Sequence, residues 1–255
     1  MPYIFDLSVY KLKRLVHIRW RFPEITATRH PWELIQDKNL KNKLQNVEKI
    51  IEDNKISSIF RLLPSSEFTS WIDFYKGHMK ALGYNILASV EKFNSFLELG
   101  LKLYTFDIFI ADKLAGRQLI TLNDEGRANS CFRVSDHIPS LVRKVSLGVF
   151  FDYLLIQNLL QRKDVKMISF GKSINQFGAN KIGYLRYKLQ FGQIPYAAET
   201  GSVETVEINP EGYVFFYGLN EKDEMKLYSI KPNISDENYD MIKKIAPEGV
   251  IELEQ

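Results

Sequence analysis

An α/β fold with a mixed, mostly antiparallel sheet flanked by helices is predicted by three observations. Strand-like runs follow one another through tight turns from Leu103 to Val134, which is the pattern of an antiparallel meander. Two amphipathic stripes at three- and four-residue spacing precede the meander, as covering helices do. After it comes Gly148 to Arg162, apolar over most of its circumference, as a buried helix is. An N-terminal arm and a β-rich C-terminal extension complete the chain.

In order, residues 1–33 are basic, aromatic and rich in β-formers, which allows one or two strands ending near Pro31. From Asp37 to Asn54, Leu40, Leu44, Val47, Ile50 and Ile51 recur at helical spacing with lysines between them. Ser57 to Leu63 reads as a short strand, and Pro64-Ser65-Ser66-Glu67 as a breaker before a helix start. Phe68, Trp71, Ile72, Tyr75 and Met79 then form an apolar stripe that Gly83 closes, and a short helix covers Val90 to Leu99 before Gly100. The three meander strands are Leu103 to Ala111, Arg117 to Leu122 and Arg127 to Val134, with turns expected at Ala115-Gly116 and at Asn123-Asp124-Glu125-Gly126. On the helix from Gly148 the polar stripe is Gln157, Asn158, Gln161 and Arg162. A strand at Val165 to Phe170, a helix at Asn180 to Gln190 and a strand at Ile194 to Ala198 follow. The extension contains strand-like runs at Val203 to Ile208, Tyr213 to Leu219 and Met225 to Ile230, then a helix at Glu237 to Ile245.

Composition narrows the function classes. The 255 residues are 45% hydrophobic and 25% charged, ordinary proportions for a chain that buries a large core without staples. A single cysteine, Cys131, and four scattered histidines exclude a disulfide framework and the usual multi-cysteine metal sites. No secretory leader pattern opens the sequence and no stretch has the length and apolarity of a membrane span, so a soluble cytoplasmic protein is expected. A net charge of +3 does not by itself imply nucleic acid. The cluster Lys11, Lys13, Arg14, Arg19 and Arg21 is either a solvated face or a contact for a phosphate-rich partner.

Local sequence adds a resemblance. Phe170-Gly171-Lys172-Ser173, then Gly178 to Gly192 ending in Tyr187-Lys188-Leu189-Gln190-Phe191-Gly192, resembles the signature of Fem-like peptidoglycan aminoacyltransferases. These are a branch of the Gcn5-related (GNAT) acyltransferases, and the resemblance covers roughly residues 40–198. Ser169 stands where relatives commonly carry aspartate, and the chain has room for one module rather than a tandem pair. The implied organisation is residues 1–64 as an arm and helix left from a first module, 65–200 as a GNAT-like acyltransferase domain, and 201–255 as an extension packed on it. Either the acceptor groove is simpler than in the tandem enzymes or a second copy in a homodimer completes it.

The resemblance implies attack of an amine on a thioester or ester carbonyl. Such a reaction needs a diphosphate-bearing donor, a path for the amine proton and a hydrogen bond to the developing oxyanion. CoA-using GNAT proteins hold the diphosphate on backbone N–H groups at a helix start, and Arg143-Lys144-Val145-Ser146-Leu147-Gly148 has nearly that loop pattern before the buried helix. Alternatively Ser146 simply N-caps the helix. Lys188 either reaches a phosphate of donor or acceptor or complements the negative end of its helix. Asp136, His137, Tyr184 and Tyr187 are candidates for moving the proton, Tyr187 towards a leaving thiolate, although a loop histidine is often a surface residue and a helical tyrosine often core. Ser173 and Asn175, in the loop after the strand, and Tyr75 are candidates for substrate binding. Asp152 lies on the apolar side of its helix, where nearness to the helix start accounts for it.

Three functions compete. The first is an N-acyltransferase using acyl-CoA, acetyl-CoA foremost, on a primary amine of an amino sugar or small molecule in glycan or specialised metabolite biosynthesis. The second is an aminoacyl-tRNA-dependent Fem-like transferase, for which the tRNA partner would give binding that falls steeply with salt. The third is a degenerate GNAT module that binds without catalysis.

Overall fold

The computed structural model describes residues 3–6, 12–15, 18–21, 33, 35, 37–45, 47–135, 147–172, 182–192, 194–197, 205–208, 214–230, 237–246 and 249–253. In chain order the first elements are β1 (Tyr3–Asp6), β2 (Leu12–Leu15), β3 (Ile18–Arg21), α1 (Lys38–Leu44), α2 (Val47–Asp53), β4 (Ile56–Leu62), α3 (Phe68–Ala81) and α4 (Val90–Glu98). Next are β5 (Lys102–Ile110), β6 (Lys113–Leu122), β7 (Arg127–Ser135), α5 (Leu147–Leu160), β8 (Met167–Lys172), α6 (Ile182–Gln190) and β9 (Ile194–Ala197). The last are β10 (Thr205–Ile208), β11 (Val214–Asn220), β12 (Met225–Ile230), α7 (Glu237–Ile245) and β13 (Ile251–Leu253). The chain divides into two compact units, Phe22–Gly171 and the combination of Met1–Arg21 with Lys172–Gln255. The break falls inside β8, whereas the sequence suggested divisions near residues 64 and 200.

In the unit Phe22–Gly171 the strands lie in the order β4-β5-β6-β7-β8. The first four are antiparallel and β8 runs parallel to β7, so the sheet is mixed and mostly antiparallel, as expected. One face is covered by α3 and α4. Their apolar stripe buries Phe68, Trp71, Ile72, Tyr75 and Phe93 on Leu103, Leu119 and Val134 of the sheet. The hydroxyl of Ser89 caps α4 by accepting from Lys92 N–H at 3.2 Å. The opposite face carries α5, whose ring Phe151 meets Phe106 edge-on at 5.2 Å. Because α5 is apolar nearly all round, it is buried along most of its length.

Two expectations are corrected. The expected helix from Asp37 to Asn54 is two helices, α1 and α2, with Gln45 as the C-cap of the first. The β5–β6 turn is Ala111-Asp112, with φ values of 46° and 63°, the double left-handed geometry of a tight hairpin turn. It was missed because neither residue is glycine or asparagine. Ala115 and Gly116 lie within β6, where a register shift sets Ile108 against Gly116 and Phe109 against Leu114. A Cβ at Gly116 would come within 2.7 Å of the Phe151 ring, so the small residue serves close helix–sheet packing.

In the unit formed by Met1–Arg21 and Lys172–Gln255, β13-β12-β11-β2 form one sheet, while β1 pairs with β10 and β3 with β9. Leu185 and Leu189 of α6 pack with Phe215 and Tyr217 of β11, Leu227 of β12, and Tyr239 and Ile242 of α7. The Tyr239 hydroxyl donates to Glu252 at 2.6 Å, which ties α7 to β13. The β-rich extension read from sequence is thus β10 to β12 with α7, and β13 is an addition. Among the described residues no helix is long and apolar enough to cross a membrane.

Candidate functional site

The sheet opens between β7 and β8. Pairing covers Arg127↔Met167, Ala128↔Ile168 and Asn129↔Ser169; among the described residues none follows, although β7 continues to Ser135 and β8 to Lys172. Gly126 fastens the closed end. Its carbonyl accepts from Lys166 N–H at 2.8 Å and Met167 N–H at 3.1 Å. Its φ of +85°, and the 2.8 Å at which a Cβ would meet the Asp164 carbonyl, require glycine there. Two parallel strands joined at one end and separate at the other leave a length of β7 backbone without a β8 partner. Such an edge is able to pair with an extended, amide-bearing chain.

α5 returns from the open end of this gap, so its first turn lies where the strands diverge. There Arg133 of β7 donates to Asp152 of α5 at 2.8 Å, and Arg133 lies over the Phe151 ring at 6.0 Å. The Asp152 side chain is 2% exposed and that of Arg133 34%. A Cβ on Gly148 would stand 3.6 Å from the Arg133 guanidinium, which places that cation beside the first turn of the helix. A cation next to the positive end of a helix dipole is unfavourable by some tenths of a kcal/mol, and here a buried carboxylate holds it. The Asp152 carboxylate offsets the Arg133 charge, and the N–H groups of the helix start are what favour an anion there.

The same face carries a further polar pair. Gln118 of β6 is 1% exposed and donates through Nε2 to the hydroxyl of Ser130, the β7 residue just beyond the last pair with β8. Its Oε1 is buried without a hydrogen-bond partner, an exception to the rule that buried polar groups are satisfied.

Of the residues singled out from sequence, Asp136, His137, Arg143, Lys144, Val145, Ser146, Ser173 and Asn175 lie outside the described residues. Leu147 and Gly148 form the first turn of α5. Tyr75 is 2% exposed within the core under α3, stacked on Trp71 at 5.9 Å. Burial pushes its hydroxyl pKa up, and the Leu87 backbone hydrogen-bonds it. Tyr187 and Lys188 lie on α6 in the other unit. Tyr187 packs on Phe191 at 5.1 Å, and Lys188 is 3% exposed in the last turn, the position that the dipole reading anticipates. Phe191 is buried, and Gly192 returns its N–H to Leu189 at 2.9 Å, so the Phe-Gly end of the signature also stops the helix. Arg133, Gln118 and Ser130 were not anticipated. The available signal was Asp152, because a carboxylate on an apolar helix face needs a cation. Among the described residues no cluster of three or more His, Cys, Asp or Glu is placed to hold a metal ion.

No family model matches the chain, and no curated protein matches it. Solved structures with a similar arrangement include a conserved protein of unknown function from Bacteroides thetaiotaomicron, at 8% identity and a TM-score of 0.43 over 82% of this chain and 62% of that one. Another is the C-terminal DUF2156 domain of a putative lysylphosphatidylglycerol synthetase from Agrobacterium fabrum, at 11% and 0.43 over 82% and 63%. A third is a tandem GNAT protein from the clavulanic acid biosynthesis pathway, at 11% and 0.36 over 80% and 57%. The chain spans about three fifths of the length of these structures, and similarity at this level carries no functional weight.

Proposed function

We propose that the protein is a GNAT-type N-acyltransferase that moves an acyl group from acyl-CoA, with acetyl-CoA the first candidate, to a primary amine. The observation that carries the reading is the opening between β7 and β8 with the Asp152-held cation Arg133 at the mouth of α5. The residues present fit the donor. Its pantetheine arm is an extended chain with two amides that can pair with the β7 edge, and its diphosphate suits the positive potential at the helix start. The loop Arg143 to Gly148 is the proposed remainder of the diphosphate site.

In the proposed reaction the amine nitrogen attacks the thioester carbonyl, the C–S bond breaks, and the thiolate leaves with CoA. The amine loses a proton to a base, for which Asp136 and His137 are the candidates, and the thiolate gains one from a general acid. Lys188 is proposed to meet a phosphate. Lys188→Ala with an unchanged melting temperature and lost turnover supports that role, and full turnover removes it. The proposed acceptor is an amino sugar or small amine of glycan or specialised metabolite biosynthesis.

Thiol release from a panel of acyl-CoAs mixed with amines tests the reading. Release with at least one donor supports it, and no release with any mixture favours a binding module. The signature Tyr187 to Gly192 favours a second, Fem-like reading with an aminoacyl-tRNA donor. That reading predicts tRNA binding that weakens steeply with salt, against the milder dependence of a CoA site.

A further inference from the structure

We infer that the α3–α4 connection is a membrane-docking surface for an anionic bilayer. Between residues 82 and 90 five apolar side chains are exposed, among them Leu82 at 51%, Tyr84 at 63% and Leu87 at 67%, with Ile86 and Val90 beside them. Scattered single leucines on a surface are ordinary; five within nine residues form a patch. The segment is held from beneath. Leu82 N–H bonds to the His78 carbonyl at 3.1 Å and Tyr84 N–H to that of Met79 at 2.9 Å. The buried Tyr75 hydroxyl is tied to the Leu87 backbone, Ala88 is 1% exposed, and Ser89 caps α4. The apolar side chains therefore project from a fixed support, and presenting them costs little further ordering.

Charge and composition select the occupant. Residues 76–92 contain Lys76, Lys80 and Lys92 against the single acid Glu91, a net charge of +2 with His78 neutral. Glu91 faces Lys76. Protein-binding patches are enriched in arginine and depleted in lysine, whereas leucines and a tyrosine with lysines close by in the chain suit the boundary between acyl chains and anionic headgroups. Lysines there add attraction to the negative surface. The inference is independent of acyl transfer, since it concerns only where the unit Phe22–Gly171 binds.

Co-flotation of the full chain with vesicles tests it, using phosphatidylcholine alone and phosphatidylcholine with phosphatidylserine at low salt. Partitioning onto the anionic vesicles is expected. It should fall about tenfold or more in the Leu82→Ser/Leu87→Ser variant, and fall also in Lys76→Glu/Lys80→Glu. Leu97→Ser/Leu99→Ser, altering exposed leucines at the far end of α4, should partition as the wild type does. All these positions are outside the core, and unchanged thermal midpoints check that the variants fold. Absence of partitioning, partitioning that Leu82→Ser/Leu87→Ser leaves intact, or an equal loss in Leu97→Ser/Leu99→Ser overturns the inference. So does a dimer abolished by Leu82→Ser/Leu87→Ser in a protein that does not bind vesicles, which would assign the patch to a second copy.

Discussion

The two faces of the β4–β8 sheet treat their buried polar groups differently. Under α3 and α4 the polar groups form a closed chain. Trp71 Nε1 donates to Thr105 Oγ1 at 3.0 Å, Thr105 donates to Asp107 at 2.6 Å, and Arg117 meets the same carboxylate at 2.9 and 2.8 Å. Arg117 also lies over the Phe74 ring at 5.3 Å. Under α5 the Arg133 cation is a third exposed, and the Gln118 amide has a buried oxygen without a partner. Closed networks fix a fold, whereas a cation partly in solvent and an unsatisfied acceptor are what a ligand can complete. On that contrast the α3–α4 face is the one closed by its own hydrogen bonds, and the α5 face is where the proposed site lies.

The largest expected effect follows from opening the closed network. Asp107→Ala leaves Arg117, 13% exposed, without its carboxylate, and urea unfolding should show a loss of about 3–5 kcal/mol. A loss below about 1 kcal/mol would mean that this face is not the rigid one. Gly116→Ala pushes a methyl group into the Phe151 ring and should cost about 1–3 kcal/mol by the same measurement, because it separates α5 from the sheet. Gln118→Leu removes the orphaned oxygen and is expected to change stability by no more than about 1 kcal/mol while lowering turnover; unaltered turnover would show that the ligand makes no use of the amide. The smallest effect concerns pH. Burial raises the Tyr75 pKa above 10.0, its ordinary value, so the phenol's contribution is complete below about pH 10. It is lost as pH rises from there through the raised folded value. Tyr75→Phe should flatten that alkaline limb of the melting curve, and an unchanged limb would assign it to other groups.

Much of this contrast was legible in the sequence, and the reason is periodicity. Phe68, Trp71, Ile72 and Tyr75 mark α3 at helical spacing, and the nearly uniform apolarity of α5 marks a helix buried on all sides. The Ala111-Asp112 turn was hidden because its left-handed residues are not the usual ones, and tertiary pairing imposes it. The site was less legible for a different reason. Arg133 sits in a strand whose neighbours alternate, where an arginine reads as an outward residue, and only the packing of α5 brings Asp152 to it. The divergence of β7 from β8 is a property of register, which no single residue announces.

The central claim is that the mouth of α5 holds the diphosphate of CoA. Calorimetric titration of CoA into the wild type and into Arg143→Glu, which reverses a charge of the proposed diphosphate loop, measures it directly. Saturable binding to the wild type that weakens about tenfold or more in the variant, with the melting temperature preserved, is the expected result. Equal affinity in the two proteins, or no binding to either, would contradict the account.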